Sequence, residues 1–160
     1  MIERAVRKVD PSEHVALAGM WHAAWHEAHG QICPPKLVML RNLADFQHRI
    51  AKIAPLSRVI GLVGAPEGFC AVRSNEIYQL FVAPCARGTG AAAALIADGE
   101  HRIRQTGHHA AFLDCHPGNL RALKFYERSG WQTDKIAPVQ LETSQGPFVL
   151  DTMILRKVLA

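Results

Sequence analysis

The chain has 160 residues, 49% of them apolar, and a mean hydropathy near zero. That suffices for one domain, residues 1–160, with its own buried core, and no apolar run approaches the ~20 residues of a membrane-spanning helix. Eighteen basic residues against 14 acidic ones leave a net charge of +4; they are spread along the chain with no dense stripe of Lys, Arg and aromatics, which fits a polyanionic small molecule and argues against nucleic acid and membrane as partners.

The first residues, Met1-Ile2-Glu3-Arg4-Ala5-Val6, are too short and too charged for a signal peptide, and residues 2–7 read as a first strand. Asp10 as N-cap, Pro11 at the first helical position and Glu13 in the first turn open a helix. The apolar spacing Leu17, Trp21, Ala24, Ala28 carries it to about His29. Cys33-Pro34-Pro35 calls for an extended segment, and a second helix is expected over 43–54. The period then changes. Strands are expected at 58–63, 69–73 and 76–82, with Pro66-Glu67-Gly68 as a turn and Ser74-Asn75 as a hairpin. A third helix spans 90–105, an apolar strand 110–115, and a fourth helix 120–129 closed by Gly130. Strands from 131 and over 148–158 end the chain, with 137–147 as a loop between them. Four cysteines, Cys33, Cys70, Cys85 and Cys115, form no C-x-x-C pair and read as reduced thiols of a cytoplasmic protein.

The order β, α, α, β, β, β, α, β, α, β, β implies antiparallel strands followed by a right-handed β–α–β crossover. At that crossover lies Leu80-Phe81-Val82-Ala83-Pro84-Cys85-Ala86-Arg87-Gly88-Thr89-Gly90-Ala91-Ala92. A buried strand, a turn with two glycines and a helix start make an anion site, because the glycines admit close approach and the helix end offers free N–H groups. No Gly-Lys-Ser/Thr ends the turn, so it is not a P-loop, and the full dinucleotide fingerprint is missing.

Arg87-x-x-Gly90-x-Ala92 resembles the R/Q-x-x-G-x-G/A signature of the GCN5-related N-acetyltransferases, the GNAT superfamily. A second segment, from Asn119 through Tyr126 to Gly130-Trp131, is similar to the N-x-x-A-x-x-x-Y-x-x-x-G-F/W segment of the same family. With the element order, the resemblance covers nearly the whole chain. It implies an α/β fold with one mixed sheet of six to seven strands, a central parallel pair splayed for coenzyme A, and about four flanking helices. It also implies transfer of an acetyl group from acetyl-CoA to a primary amine, without a metal.

That chemistry needs a neutral amine, donors for the oxyanion and a proton for the leaving thiolate. The resemblance assigns the pantetheine arm to the backbone of Leu80, Phe81 and Val82, with the Val82 N–H polarising the thioester carbonyl. The pyrophosphate goes to Arg87, Gly88, Thr89, Gly90, Ala91 and Ala92. Asn119 takes a pantetheine contact, or serves only as N-cap of the fourth helix. Tyr126, two helical turns on, is the general acid, or a half-buried packing aromatic. The general base stays open between Glu76, Asp114 and ordered water. Glu76 lies six residues before Val82, an even offset that places both side chains on one face of the strand.

His22, His26 and His29 recur at i, i+4 and i+7, a spacing that can bind metal but equally marks a polar helix face beside tryptophans. His116 ends the strand over 110–115, where ligands of α/β proteins gather. A non-catalytic acyl-CoA-binding module would carry the same loop. Many members of the family pair as homodimers, often through their last strands. The acceptor would be chosen by the variable segments 29–42 and 137–147, which carry no recognisable specificity motif.

Overall fold

The computed structural model describes residues 5–160. Its seven-stranded sheet runs in the order β1-β2-β3-β4-β5-β7-β6, formed by Arg7–Lys8, Ser57–Leu62, Ala65–Arg73, Glu76–Val82, Ala110–Cys115, Gln132–Leu141 and Phe148–Val158 for β1 to β7. β4 and β5 are parallel; every other neighbouring pair is antiparallel. Five helices cover it: α1 (His14–His29), α2 (Pro35–Leu40), α3 (Leu43–Ile53), α4 (Ala91–Gln105) and α5 (Leu120–Arg128).

Alternation along the strands divides the core in two. Ile60, Cys70, Leu113 and Leu155 pack with Leu95, Ile103 and Tyr126 on the α4/α5 face. Val59, Phe69 and Ala71 pack with Leu17, Trp21, Phe46 and Ile50 on the α1/α3 face. The start of α1 is anchored by a capping box on a short 3-10 turn. The Asp10 carboxylate accepts from Ser12 N–H at 2.9 Å, and Glu13 accepts from Asp10 N–H at 2.7 Å. Glu13 is fully buried and takes two bonds from Arg7, at 2.7 and 2.9 Å, which tie β1 to this helix. α4 lies close against the sheet because Gly99 has no side chain: a Cβ there would stand 2.8 Å from Ile77 Cδ1 and 3.0 Å from Cys70 Sγ.

Four boundaries differ from the expectations. Residues 2–4 of the expected first strand lie outside the described residues; the described pairing is confined to Arg7 and Lys8. Pro66-Glu67-Gly68 is strand, not turn: Pro66 pairs with Gly61 where the β2–β3 register shifts, so the missing N–H falls at an irregularity. The extended segment at Cys33-Pro34-Pro35 is shorter than expected. Pro34 is extended (φ −55°, ψ 141°), but Pro35 occupies the first position of α2, for which its fixed φ suits it. The expected loop over 137–147 is strand as far as Leu141. β6 is the edge strand of the sheet, where Pro138 is tolerated.

Candidate active site

Over their whole length β4 and β5 pair at one position, Glu76 opposite Phe112. Beyond it they diverge, and the gap opens into a cleft of about 470 Å³. On its other side β4 pairs with β3, and the register shifts between Ala71 and Val72, so that Tyr78 is an extra residue on β4. This bulge reverses the side-chain alternation. Ile77, Leu80 and Val82 all face the α4/α5 core, whereas Tyr78 and Phe81 face the α1/α3 core. The even offset between Glu76 and Val82 therefore does not put them on one face. Glu76 points away from the Val82 side, is bound by Arg73 at 2.9 Å, and is absent from the cleft lining.

The backbone of β4 presents the complementary pattern. Ala83 N–H donates to Glu67 O at 2.8 Å. In an antiparallel ladder the bonded pairs alternate, so the N–H groups of Leu80 and Val82 turn from β3 toward the gap. The strand then ends in a 3-10 turn (Pro84–Ala86) and the glycine loop. Gly88 and Gly90 have φ of +74° and +86°, and a Cβ at either would meet nothing within 4 Å. Gly90 caps α4 without any side-chain bond, so the first-turn N–H groups are turned to the open cradle. Backbone donors, positive φ and empty space above the glycines fit the pyrophosphate of coenzyme A.

Leu80, Phe81, Val82, Arg87, Gly88, Gly90, Ala91, Ala92, Asn119, Tyr126 and Asp114 all line this one cleft. Thr89 turns its hydroxyl to Ala86 O instead. Asn119 caps α5, its Oδ1 accepting from Ala122 N–H at 3.3 Å, which leaves its amide N–H groups for the cleft. Tyr126 is buried, and its hydroxyl makes no hydrogen bond among the described residues; burial raises its pKa well above the ordinary phenol value. Asp114, on β5, has its carboxyl pushed up to about 6, chiefly by burial and secondarily by the Glu76 charge. Burial pushes the Cys115 thiol up to about 12.

The roof comes from α1. Trp25 and His29 stack with ring centroids 5.1 Å apart, and His29 lies 6.4 Å from His116. His29 donates from Nδ1 to Trp25 O at 3.3 Å, and burial lowers its pKa to about 4. His116 Nδ1 accepts from Gly118 N–H. Among the described residues no three His, Cys, Asp or Glu side chains converge as metal ligands. Glu27 reaches down from the same helix to the Arg87 guanidinium and, at 3.4 Å, to Arg121 on α5. The two arginines hold the Glu27 carboxyl at about 2, the bond to Arg87 being the larger cause.

Residues 15–131 match the model of the acetyltransferase (GNAT) family. The chain belongs to that family. Membership makes this GNAT protein an acyltransferase, with the mixed sheet and splayed parallel pair expected of the fold. A GCN5-related N-acetyltransferase from Rhodopseudomonas palustris is similar in structure, with a TM-score of 0.78 at 20% identity over 99% of this chain and 98% of that one. The PaiA N-acetyltransferase of Thermoplasma acidophilum, solved with coenzyme A, gives 0.72 at 15% identity, over 98% and 99% of the two chains. YncA, a putative acetyltransferase of Salmonella typhimurium solved with acetyl-CoA, gives 0.71 at 15% identity, over 99% and 95%. No curated protein matches the sequence significantly.

Among the cleft-lining residues that sequence reasoning missed are four polar ones, Arg41, Arg49, Arg121 and Thr152. A signal was present for two of them. Asp45 and Arg49 lie four apart on α3 and so share one helical face, and Arg41, four residues before Asp45, precedes the helix at the end of α2.

Proposed function

We propose that the protein transfers the acetyl group of acetyl-CoA directly to a primary amine, and that residues 1–160 form one catalytic domain. The observation that carries this reading is the divergence of β4 from β5 directly before an uncapped helix N-terminus with an open glycine cradle. Acetyl-CoA supplies an activated acyl carbon: a C–N bond forms to the amine, the C–S bond breaks, and the thiolate leaves. Leu80 and Val82 hold the pantetheine arm through backbone groups, as an added strand would be held, and the Val82 N–H stabilises negative charge on the carbonyl oxygen. Arg87, Gly88, Gly90, Ala91 and Ala92 take the pyrophosphate, with Thr89 supporting the turn. Asn119 donates its amide to the arm.

Asp114 accepts the proton of the incoming ammonium. It is favoured over Glu76 because it lines the cleft and its pKa of about 6 leaves it ionised yet basic enough near neutrality. The Tyr126 hydroxyl supplies the proton to the departing sulfur. Direct transfer is supported because Cys115, the buried thiol at the cleft, is held protonated. The test is calorimetric titration with acetyl-CoA beside a Gly90→Glu variant checked for folding. Binding of micromolar order, about −8 kcal/mol, that the variant abolishes is the expected result. A folded wild-type protein that does not bind would overturn the reading, and binding without turnover of any amine would recast the protein as an acyl-CoA-binding module.

A further inference from the structure

At the end of the cleft beneath α3, two guanidinium groups share one carboxylate. Asp45 is fully buried. Its Oδ1 accepts from Ser144 N–H at 2.7 Å and its Oδ2 from Arg41 at 2.8 Å. Arg41 also donates to Glu142 O at 2.6 Å. Little of Asp45 remains for Arg49, whose nearest nitrogen stands 3.7 Å away.

Arg49 is 5% exposed and lies over the Trp21 ring, its Cζ 4.2 Å from the centroid. Among the described residues its Nη1 has no hydrogen-bond partner, and neither does Arg41 Nε nor the Oγ1 of buried Thr152 on β7. All three residues line the cleft. A buried guanidinium N–H without an acceptor is costly, and groups of this kind are rare in folded proteins unless a ligand completes them. Arginine donates and never accepts, so the missing partner is an acceptor. Among the buried groups two cations face one anion, and the exposed Glu142 carboxylate acts on Arg49 less than Asp45 does; the buried charge left over is a single positive one, which a monoanion neutralises and a phosphate dianion would exceed.

We infer that the acceptor amine carries a carboxylate group, held by Arg49 and Arg41 with the Thr152 hydroxyl. The substrate class is then an amino acid or another small aminocarboxylic acid. The anion site is separate from the phosphate loop. Arg49 interacts with Tyr78, at the bulge of β4, while the glycine loop follows the far end of that strand beyond Val82. The reacting carbonyl, placed at Val82 by the proposed acetyl transfer on which this inference rests, falls between them. The wall beside the arginines is aliphatic and aromatic, from Leu37, Tyr78, Leu141 and Leu150, and suits the short carbon skeleton linking amine and carboxylate. Burial and the neighbouring Arg41 charge lower the Arg49 pKa to about 9, a shift that a bound carboxylate would reverse.

The test compares amino acids with their carboxamides as acceptors, following coenzyme A release by the full-length protein. One member of the acid series is expected to exceed its amide by about ten- to a hundredfold in kcat/KM. Arg49→Met should erase that ratio through KM, Arg49→Lys should restore part of it, and Thr152→Val should lower it several-fold. In parallel, tryptophan fluorescence of the wild-type protein is titrated with the same acids and amides without acetyl-CoA, since Trp21 lies against Arg49. A saturable change with an acid and none with its amide supports the site even if acetyl-CoA fails to bind, which would count against the proposed reaction alone. Equal use of acids and amides, or preference for amines without a carboxylate, overturns the inference and leaves acetyl transfer standing. So does a fluorescence response indifferent to the carboxylate.

Discussion

Asp114 sits where an apolar strand meets the cleft, and the same burial that raises its pKa makes its ionisation a stability term. A carboxyl whose pKa rises from 3.8 to about 6 on folding binds more protons when native, so its contribution is complete at low pH and is lost as pH climbs through about 6. Asp114→Asn should therefore be no less stable than wild type at pH 8, and less favoured relative to it at pH 4, by about 2 kcal/mol between the two extremes in denaturant unfolding. Its kcat should fall by about a hundredfold or more, and the rising limb of the pH–rate profile near 6 should vanish. Retention of that limb would move the base elsewhere. Tyr126→Phe removes a hydroxyl with no hydrogen-bond partner among the described residues, so its folding should be little changed while kcat falls about tenfold or more and KM holds.

Single elements set how the cleft meets its ligands. α1 brings Glu27 onto Arg87 and Arg121, so the two guanidiniums that could meet phosphate are already engaged. Glu27→Gln should raise affinity for coenzyme A by about two- to fivefold at low salt, with the gain fading as salt is added; calorimetry across ionic strengths checks both. The packing of α4 is a matter of distance rather than charge. Gly99→Val would press two methyl groups toward Ile77 and Cys70, and should cost about 2 kcal/mol or more in equilibrium unfolding.

At the scale of the molecule, one sheet joins two cores, and the split between β4 and β5 lies between the helices that cover them. A ligand that fills the split and binds the native state alone should stabilise the whole protein. At a hundred times its dissociation constant acetyl-CoA should contribute about 2.7 kcal/mol, which for a chain of this size raises the thermal midpoint by about 5–10 °C. Gly90→Glu should show no such rise. Among the described residues no helix is long and apolar enough to cross a membrane.

Much of this arrangement follows from local rules. The Asp10 cap, the helical repeat of α1 and the period-2 strands need only neighbours a few residues away, and each was readable. So were the glycine loop and the seven-residue interval from Asn119 to Tyr126, because the spacing within one turn or one helix carries its own geometry. The sequence alone thus determined the order of elements apart from α2, the family resemblance and the glycine loop to which the coenzyme A pyrophosphate is proposed to bind. Tertiary structure decided what depends on partners far along the chain. The bulge at Tyr78 exists in the register of β4 against β3, and it sends Glu76 away from the Val82 face. Glu27 meets Arg87 across 60 residues, and Arg41 reaches Glu142 across 101. Asp45 and Arg49 look like an ordinary helical ion pair in one dimension. Only once Ser144 and Arg41 have taken the carboxylate is Arg49 left buried with a donor that has no partner among the described residues, because hydrogen-bond saturation is a property of the assembled site and not of the spacing.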